Sequence, residues 1–259
     1  MLSYQHIYHA GNPADVHKHA ALAAMLDYMT RKDKPLSYIE THGGRGLYRL
    51  DAPEALKTGE AAAGIGAVAD AAALAGTPYR AVLDEIRAVH GALAYPGSPL
   101  IAARFLRAGD AGHVAELHPQ EHAALVAALK GTPLKVHRQD GFGMAQSICP
   151  PTPRRGLMLI DPSYEVKAEY ARIPREIAGL HAKWNVGVIA LWYPILTGGA
   201  HVPMLAALEA QGLPGALRHE IRFPPVRAGH RMVGSGLFVV NAPWGLEAEL
   251  DRVAQLFGG

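Results

Sequence analysis

Short, continuously apolar runs alternate with helical patterns through the second half of this 259-residue chain, and that alternation limits the fold more than any other feature. HVAEL (His113–Leu117), LKVHR (Leu134–Arg138), GLMLIDP (Gly156–Pro162) and VGVIALWYP (Val186–Pro194) read as strands. Pro119–Lys130, Glu169–Trp184 and Met204–Gly212 carry the helical patterns between and after them, with Pro174 expected to disturb the second. A strand that is apolar on both faces must be covered on both faces. That requirement predicts an α/β fold, with helices either side of a doubly wound, mainly parallel sheet. Two closely spaced strands, Ala216–Phe223 and Gly234–Pro243, predict one antiparallel member near the end.

Upstream, Asn12-Pro13-Ala14-Asp15 reads as a helix start: Asn12 caps, Pro13 suits the first position, and Asp15 favours the positive end. This helix should run to about Lys32, followed by a strand at Pro35–Glu40 and a glycine-rich loop, Thr41–Gly46. From about 51 to 95 the texture becomes alanine-rich and helical, which reads as a helical insertion in one domain spanning 1–259. Lys plus Arg is 25 against 23 Asp plus Glu, a net charge of +2, so a nucleic-acid site must be a local patch. The single cysteine, Cys149, excludes an internal disulfide and a cysteine-cluster metal site. With no apolar leader and no run of about twenty apolar residues, a soluble cytoplasmic protein is expected.

Ligands of doubly wound sheets sit beyond the carboxyl ends of the strands. Gly43, Gly44 and Gly46 let backbone approach a ligand there, or simply shape a strand-to-helix corner; the loop matches neither a dinucleotide nor a triphosphate fingerprint. Glu116 ends the next strand and can accept from both hydroxyls of a ribose. Asp140-Gly141 ends the one after, where a carboxylate and a backbone amide can read an adenine edge beside Phe142. The series suits an adenosyl group without a pyrophosphate, which is S-adenosylmethionine. The fourth strand delivers Asp161-Pro162-Ser163-Tyr164. An exocyclic adenine amine is a poor nucleophile because its lone pair is delocalised into the ring. Asp161 can accept one of its hydrogens and then its proton, the carbonyl of Pro162 can accept the other, and Tyr164 can stack on the extruded base. The alternative is an ordinary turn after a strand.

The Asp161–Tyr164 run resembles the [D/N]-P-P-[Y/F] motif of amino-methyltransferases. With the N-terminal nineteen residues, ETHGGRGLY, YPGSPLIA, ELHP, QDGF, ALWYPI and GSGLFVVNAPW, it resembles in order the RlmJ family, bacterial enzymes that make N6-methyladenine in 23S ribosomal RNA. The resemblance implies a Rossmann-like, S-adenosylmethionine-dependent methyltransferase fold with an inserted helical subdomain. It implies S-adenosylhomocysteine as the product, protein-free or partly assembled 23S RNA as the partner, and a monomer acting in ribosome biogenesis. Position by position, it places His19, His42, Ser98, Glu116, Asp140, Gly141 and Asp161 at the cofactor and Asp161 as proton acceptor, and Tyr4, with His6 and Lys18, at the RNA. Two departures stand out: Ser163 replaces a second proline, and Arg45 adds bulk and charge to the glycine loop. The rival readings are a DNA adenine methyltransferase and a noncatalytic RNA-binding assembly factor.

Four histidines (His6, His9, His17, His19) crowd the start, but His17 and His19 must diverge on a helix and no ligand set completes a metal site. His181, His201 and His219 are expected at the surface, and Cys149 without a role. Arg154-Arg155 reads as a solvated loop or as a phosphate contact beside the flipped base. Lys18, Arg31, Lys32 and Lys34, with Arg222, Arg227, His230 and Arg231, are expected to supply the rest of an RNA-facing surface.

Overall fold

The computed structural model describes residues 4–226 and 229–257; Arg227 lies outside the described residues. Its strands are β1 (Ser37–Glu40), β2 (Leu47–Arg49), β3 (Ala94–Pro96), β4 (Ala111–Ala115), β5 (Leu134–His137), β6 (Gly156–Ile160), β7 (Val188–Leu196), β8 (Leu217–Arg222) and β9 (Met232–Val240). Seven of them form one sheet in the order β5-β4-β1-β6-β7-β9-β8. All neighbours from β5 to β7 are parallel, and β9 runs antiparallel to both β7 and β8. From β1 the chain winds outward through β4 to β5, then returns to β6 on the other side of β1. The carboxyl edge of β1 and β6 is therefore the point of reversal, where such sheets bind ligands.

Helix α1 (Pro13–Thr30) begins as its sequence indicates, with the Asn12 side chain accepting the Asp15 N–H at 2.9 Å. It is buried round its whole circumference over the first three turns, because β9, α5 (Pro78–His90), α6 (Ser98–Phe105) and α11 (Leu246–Ala254) all pack on it. Helices α2 (Pro53–Thr58), α3 (Glu60–Ala63), α4 (Ile65–Val68) and α5 fill the alanine-rich stretch. They lie between β2 and β3, which pair antiparallel as a separate two-stranded ribbon. Neither strand was expected: each has three residues, too few to show a period, and they are paired across 44 intervening residues between Arg49 and Ala94.

Helices α7 (Pro119–Ala128), α8 (Gly141–Ile148), α9 (Ala168–Lys183) and α10 (His201–Glu209) complete the layers. Pro174 does not interrupt α9: it sits in the buried stripe Tyr170, Ile173, Pro174, Ile177 and Leu180, and its carbonyl accepts the Gln211 amide at 2.8 Å. Packing of that stripe outweighs the backbone hydrogen bond a proline forfeits. His201 is buried against Tyr193 and His219 is half-buried, so neither is the surface residue expected.

Strand direction corrects the expected RNA face. Arg154 and Arg155 precede β6 and therefore lie at its amino end, roughly 17 Å of strand away from Asp161. Lys32 and Lys34 share that distal end. There Arg155 donates to the carbonyls of Met29 and Lys34, and Arg107 to those of Thr30, Lys32 and Lys34, satisfying carbonyls that the end of α1 and its following turn leave open. Among the described residues no helix is long and apolar enough to cross a membrane.

Candidate active site

Beyond the carboxyl ends of β1, β4, β5, β6 and β7 lies a cavity of about 400 Å³, roofed by Tyr4, His6 and His9 of the N-terminal segment. The glycine loop turns at Gly44 (φ +60°) and Gly46 (φ +75°), a conformation glycine adopts without penalty. It lies flat against β4, for a Cβ on Gly43 would stand 2.5 Å from Val114 Cγ1. Glu116, just past β4, accepts the Gly44 N–H on Oε2 at 2.8 Å and the His118 N–H on Oε1 at 2.7 Å. Both oxygens are thereby fixed, each keeps a lone pair, and the side chain lines the cavity. Burial raises its pKa, and the two backbone donors partly offset that.

Asp140 caps α8 through the Gly143 N–H at 2.7 Å. Next to it a Cβ on Gly141 would stand 1.9 Å from the Thr41 carbonyl oxygen, so α8 starts against the end of β1 only because residue 141 has no side chain. His42 faces the edge of Phe142 and contacts Thr41 Oγ1 at 2.7 Å; burial pushes its pKa down to about 4, leaving it neutral. Arg45 is held in a two-pronged pair with Glu121 at 2.9 and 2.6 Å; Glu121 lines the cavity and Arg45 does not. Ser98 and His19 also line the cavity. Ser98 donates to the buried Glu40, which also takes the Tyr38 hydroxyl at 2.7 Å. His19 contacts the Tyr95 hydroxyl at 2.9 Å, and burial pushes its pKa down to about 3.

Lys18 is not a surface cation. It is 4% exposed, and its Nζ stands 2.6 Å from Asp161 Oδ2 and 3.1 Å from Asp15 Oδ1. Burial opposes its charge, but the two carboxylates more than restore it and raise its pKa above the ordinary lysine value. Asp15 in turn accepts from His6 at 2.8 Å and from the Gly11 N–H at 2.9 Å, and Tyr4 meets the other His6 nitrogen at 2.8 Å. Burial works against the Asp15 charge too, yet His6 and Lys18 hold its pKa well below the carboxylate range. The structure thus joins Tyr4, His6, Lys18 and Asp161 in one chain of contacts through Asp15. By sequence Asp15 is a helix-start acid, and its i, i+3 spacing to Lys18 is the one signal of this wider role.

Pro162 and Tyr164 lie on the same cavity wall. Tyr164 has φ +57°, its ring packs on Tyr170 at 4.6 Å, and its hydroxyl donates to the Trp192 carbonyl at 2.7 Å. No sequence pattern marks Trp192, from β7, as a site residue. It lines the cavity with the Lys18 ammonium 5.3 Å from its ring. Among the described residues no three His, Cys, Asp or Glu side chains are grouped to hold a metal.

A sheet of this order with one reversed strand, a glycine turn after β1, a clamped acid after β4 and an acid-proline pair after β6 defines an S-adenosylmethionine-dependent methyltransferase. The clamped Glu116, with a lone pair spare on each oxygen, fits the ribose diol of that cofactor, and the cavity is of the size small ligands occupy. The family model described as ribosomal RNA large subunit methyltransferase D, RlmJ, matches residues 33–257. The chain belongs to this family. It is 37% identical to ribosomal RNA large subunit methyltransferase J of Escherichia coli over 256 residues, covering 98% of this chain and 91% of that one. The same-named Haemophilus influenzae protein is also 37% identical, covering 98% and 92%. A crystal structure of the Legionella pneumophila protein LPL1258 superposes with a TM-score of 0.85 at 34% identity, covering 95% of this chain and 92% of that one.

Proposed function

We propose that this chain methylates the N6 amine of one adenine in 23S ribosomal RNA, acting as a cytoplasmic monomer on protein-free or partly assembled RNA. Residues about 51–95 are read as a helical insertion within a methyltransferase domain spanning the chain. The observation that carries the chemistry is Asp161, presented at the end of β6 and held through one oxygen by Lys18. S-adenosylmethionine supplies an electrophilic methyl group on a sulfonium and leaves as S-adenosylhomocysteine. Glu116 would hold its ribose, Asp140 and the Gly141 amide its adenine, and His19, His42, Gly43, Gly44 and Ser98 the remainder of the molecule.

Because Lys18 engages Oδ2, Oδ1 of Asp161 is left to accept from the substrate amine, while the Pro162 carbonyl takes the second hydrogen. Two acceptors aimed at one amine localise its lone pair and point it at the methyl group. The amine proton then leaves to Asp161. An alkylated, protonated exocyclic amine is so strong an acid that placement of the acceptor matters more than its basicity. Tyr164 is only 8% exposed, so stacking a base on its face requires the loop after Asp161 to turn outward. Its left-handed φ is a strained conformation for a tyrosine, which eases that opening. Tyr4, His6 and Lys18 would then bound the RNA entrance.

The test is incubation with labelled S-adenosylmethionine and, separately, protein-free 23S RNA, mature large subunits and duplex DNA, followed by nucleoside analysis. N6-methyladenine in protein-free RNA is expected. Label in duplex DNA instead would favour the rival enzyme, and binding without label the noncatalytic factor.

A further inference from the structure

Behind Trp192 runs a file of polar side chains that the reaction itself does not use. The indole Nε1–H donates to Ser235 Oγ at 2.9 Å. Ser235 Oγ is 2.9 Å from His17 Nδ1, and His17 Nε2 is 3.0 Å from His219 Nδ1. His219 Nε2 faces the carboxylate of Asp251 at 3.4 Å. Ser235 and His17 are fully buried on β9 and α1, whereas the Asp251 side chain on α11 is 68% exposed. Of these five residues only Trp192 lines the cavity.

The two ends fix the direction of the file. An indole can only donate and a carboxylate can only accept. With the Ser235 hydroxyl passing its hydrogen to His17 Nδ1, each histidine carries its proton on Nε2 and every partner is satisfied. Reversal would set a bare His219 nitrogen against the Asp251 carboxylate. A buried, fully satisfied polar file of this kind holds one arrangement and penalises the rest. The Tyr164 hydroxyl meets the main-chain carbonyl of residue 192, a contact separate from the indole.

We propose that Ser235, His17 and His219 are positioning residues for methyl transfer: they lock the Trp192 indole, a wall of the cavity, in the orientation that receives the base. The proposal rests on reading the cavity as the methyl-transfer pocket. It adds a set of residues from α1, β8 and β9 that act on turnover without touching cofactor or RNA.

The experiment uses the full-length protein with Ser235→Ala, Ser235→Thr and the half-buried His219→Ala, which keeps the test open should the Ser235 variants fold poorly. The chain has three tryptophans. With 15N-indole labelling, the Trp192 resonance is the one lost in Trp192→Phe. Expected in S235A and H219A is a moved or broadened Trp192 signal with the Trp184 and Trp244 signals unchanged. Turnover under saturating RNA and cofactor should fall between about twofold and tenfold, the worth of one buried neutral hydrogen bond. The dissociation constant for S-adenosylmethionine should stay the same, and S235T, which restores the hydroxyl, should recover turnover. An unmoved Trp192 signal in H219A, or a moved signal with wild-type turnover, overturns the proposal. A wild-type chain that methylates no RNA would instead defeat the functional reading, and the indole signals would still decide whether the file holds Trp192.

Discussion

Replacing Lys18 by methionine removes the ammonium and keeps most of the stem. The charge sits 2.6 Å from Asp161 and 3.1 Å from Asp15. At those separations and an effective dielectric near 20, each attraction is about 5–6 kcal/mol before desolvation. Desolvation cancels much of this, and removing one partner of a buried pair costs about 3–5 kcal/mol. Asp15 keeps His6 at 2.8 Å and the Gly11 N–H at 2.9 Å, so the lower end, about 3 kcal/mol, is expected in denaturant unfolding. Asp161, its side chain only 13% exposed, loses the contact that fixes Oδ2. Loss of that aim should lower single-turnover methylation on the order of a hundredfold. Cofactor affinity, measured by calorimetry, should change little, because Lys18 lines the cavity on the side proposed for RNA and not among the residues proposed to hold the cofactor. If Lys18 acts through Asp161, the losses in K18M and Asp161→Asn will not add in the double variant. Turnover in K18M within threefold of wild type, or strictly additive losses, would refute the reasoning.

Stability should peak near pH 6.5 for a reason legible in three buried groups. His17 and His19, pushed down by burial from 6.5 to about 3, stay neutral in the fold while the unfolded chain takes up protons, so stability is full above 6.5 and falls as pH drops. Glu40, pushed up by burial from 4.5 to about 8, runs the other way: its contribution is full below 4.5 and is lost as pH rises through 8. Urea melts across pH should show both limbs, with only the alkaline one flattened in Glu40→Gln; an unaltered alkaline limb contradicts the assignment. Gly141→Ala drives a methyl to within 1.9 Å of the Thr41 carbonyl, so it should lose about 2 kcal/mol or more of stability and weaken cofactor binding; an unchanged dissociation constant would count against the close approach of α8. Ser163→Pro, which restores the commoner motif, should stabilise by about 0.5 kcal/mol with undiminished turnover, and a destabilised variant would show that residue 163 needs a freer backbone.

The sheet was legible because its physics is one-dimensional. Continuous apolar runs such as Gly156–Pro162 need cover on both faces, and strand polarity then sends Glu116, Asp140 and Asp161 to one edge whatever the details of packing. The same polarity, applied to what precedes a strand, would have removed Arg154 and Arg155 from the site. The β2–β3 ribbon was not legible, since three-residue strands have no period and their pairing depends on helices folding between them. Nor was the interior of α1. Successive residues of a helix point about 100° apart. On an ordinary half-exposed helix, one of three neighbours in a row faces the core. On α1, enclosed on every side, all three do: His17 reaches Ser235 and His219, Lys18 reaches Asp161, and His19 reaches Tyr95. A histidine-lysine-histidine run reads as solvated charge only if water is available. Here the helix is surrounded, so each side chain must find its own buried partner, and three polar systems meet on a single turn beside the pocket, with Lys18 and His19 both facing Asp15 Oδ1 at 3.1 and 4.0 Å. That is why a conservative change on this turn should be felt at Asp161, at the Trp192 wall and at the proposed cofactor face, and why the site is better described as built around α1 than as a row of loops at the sheet's edge.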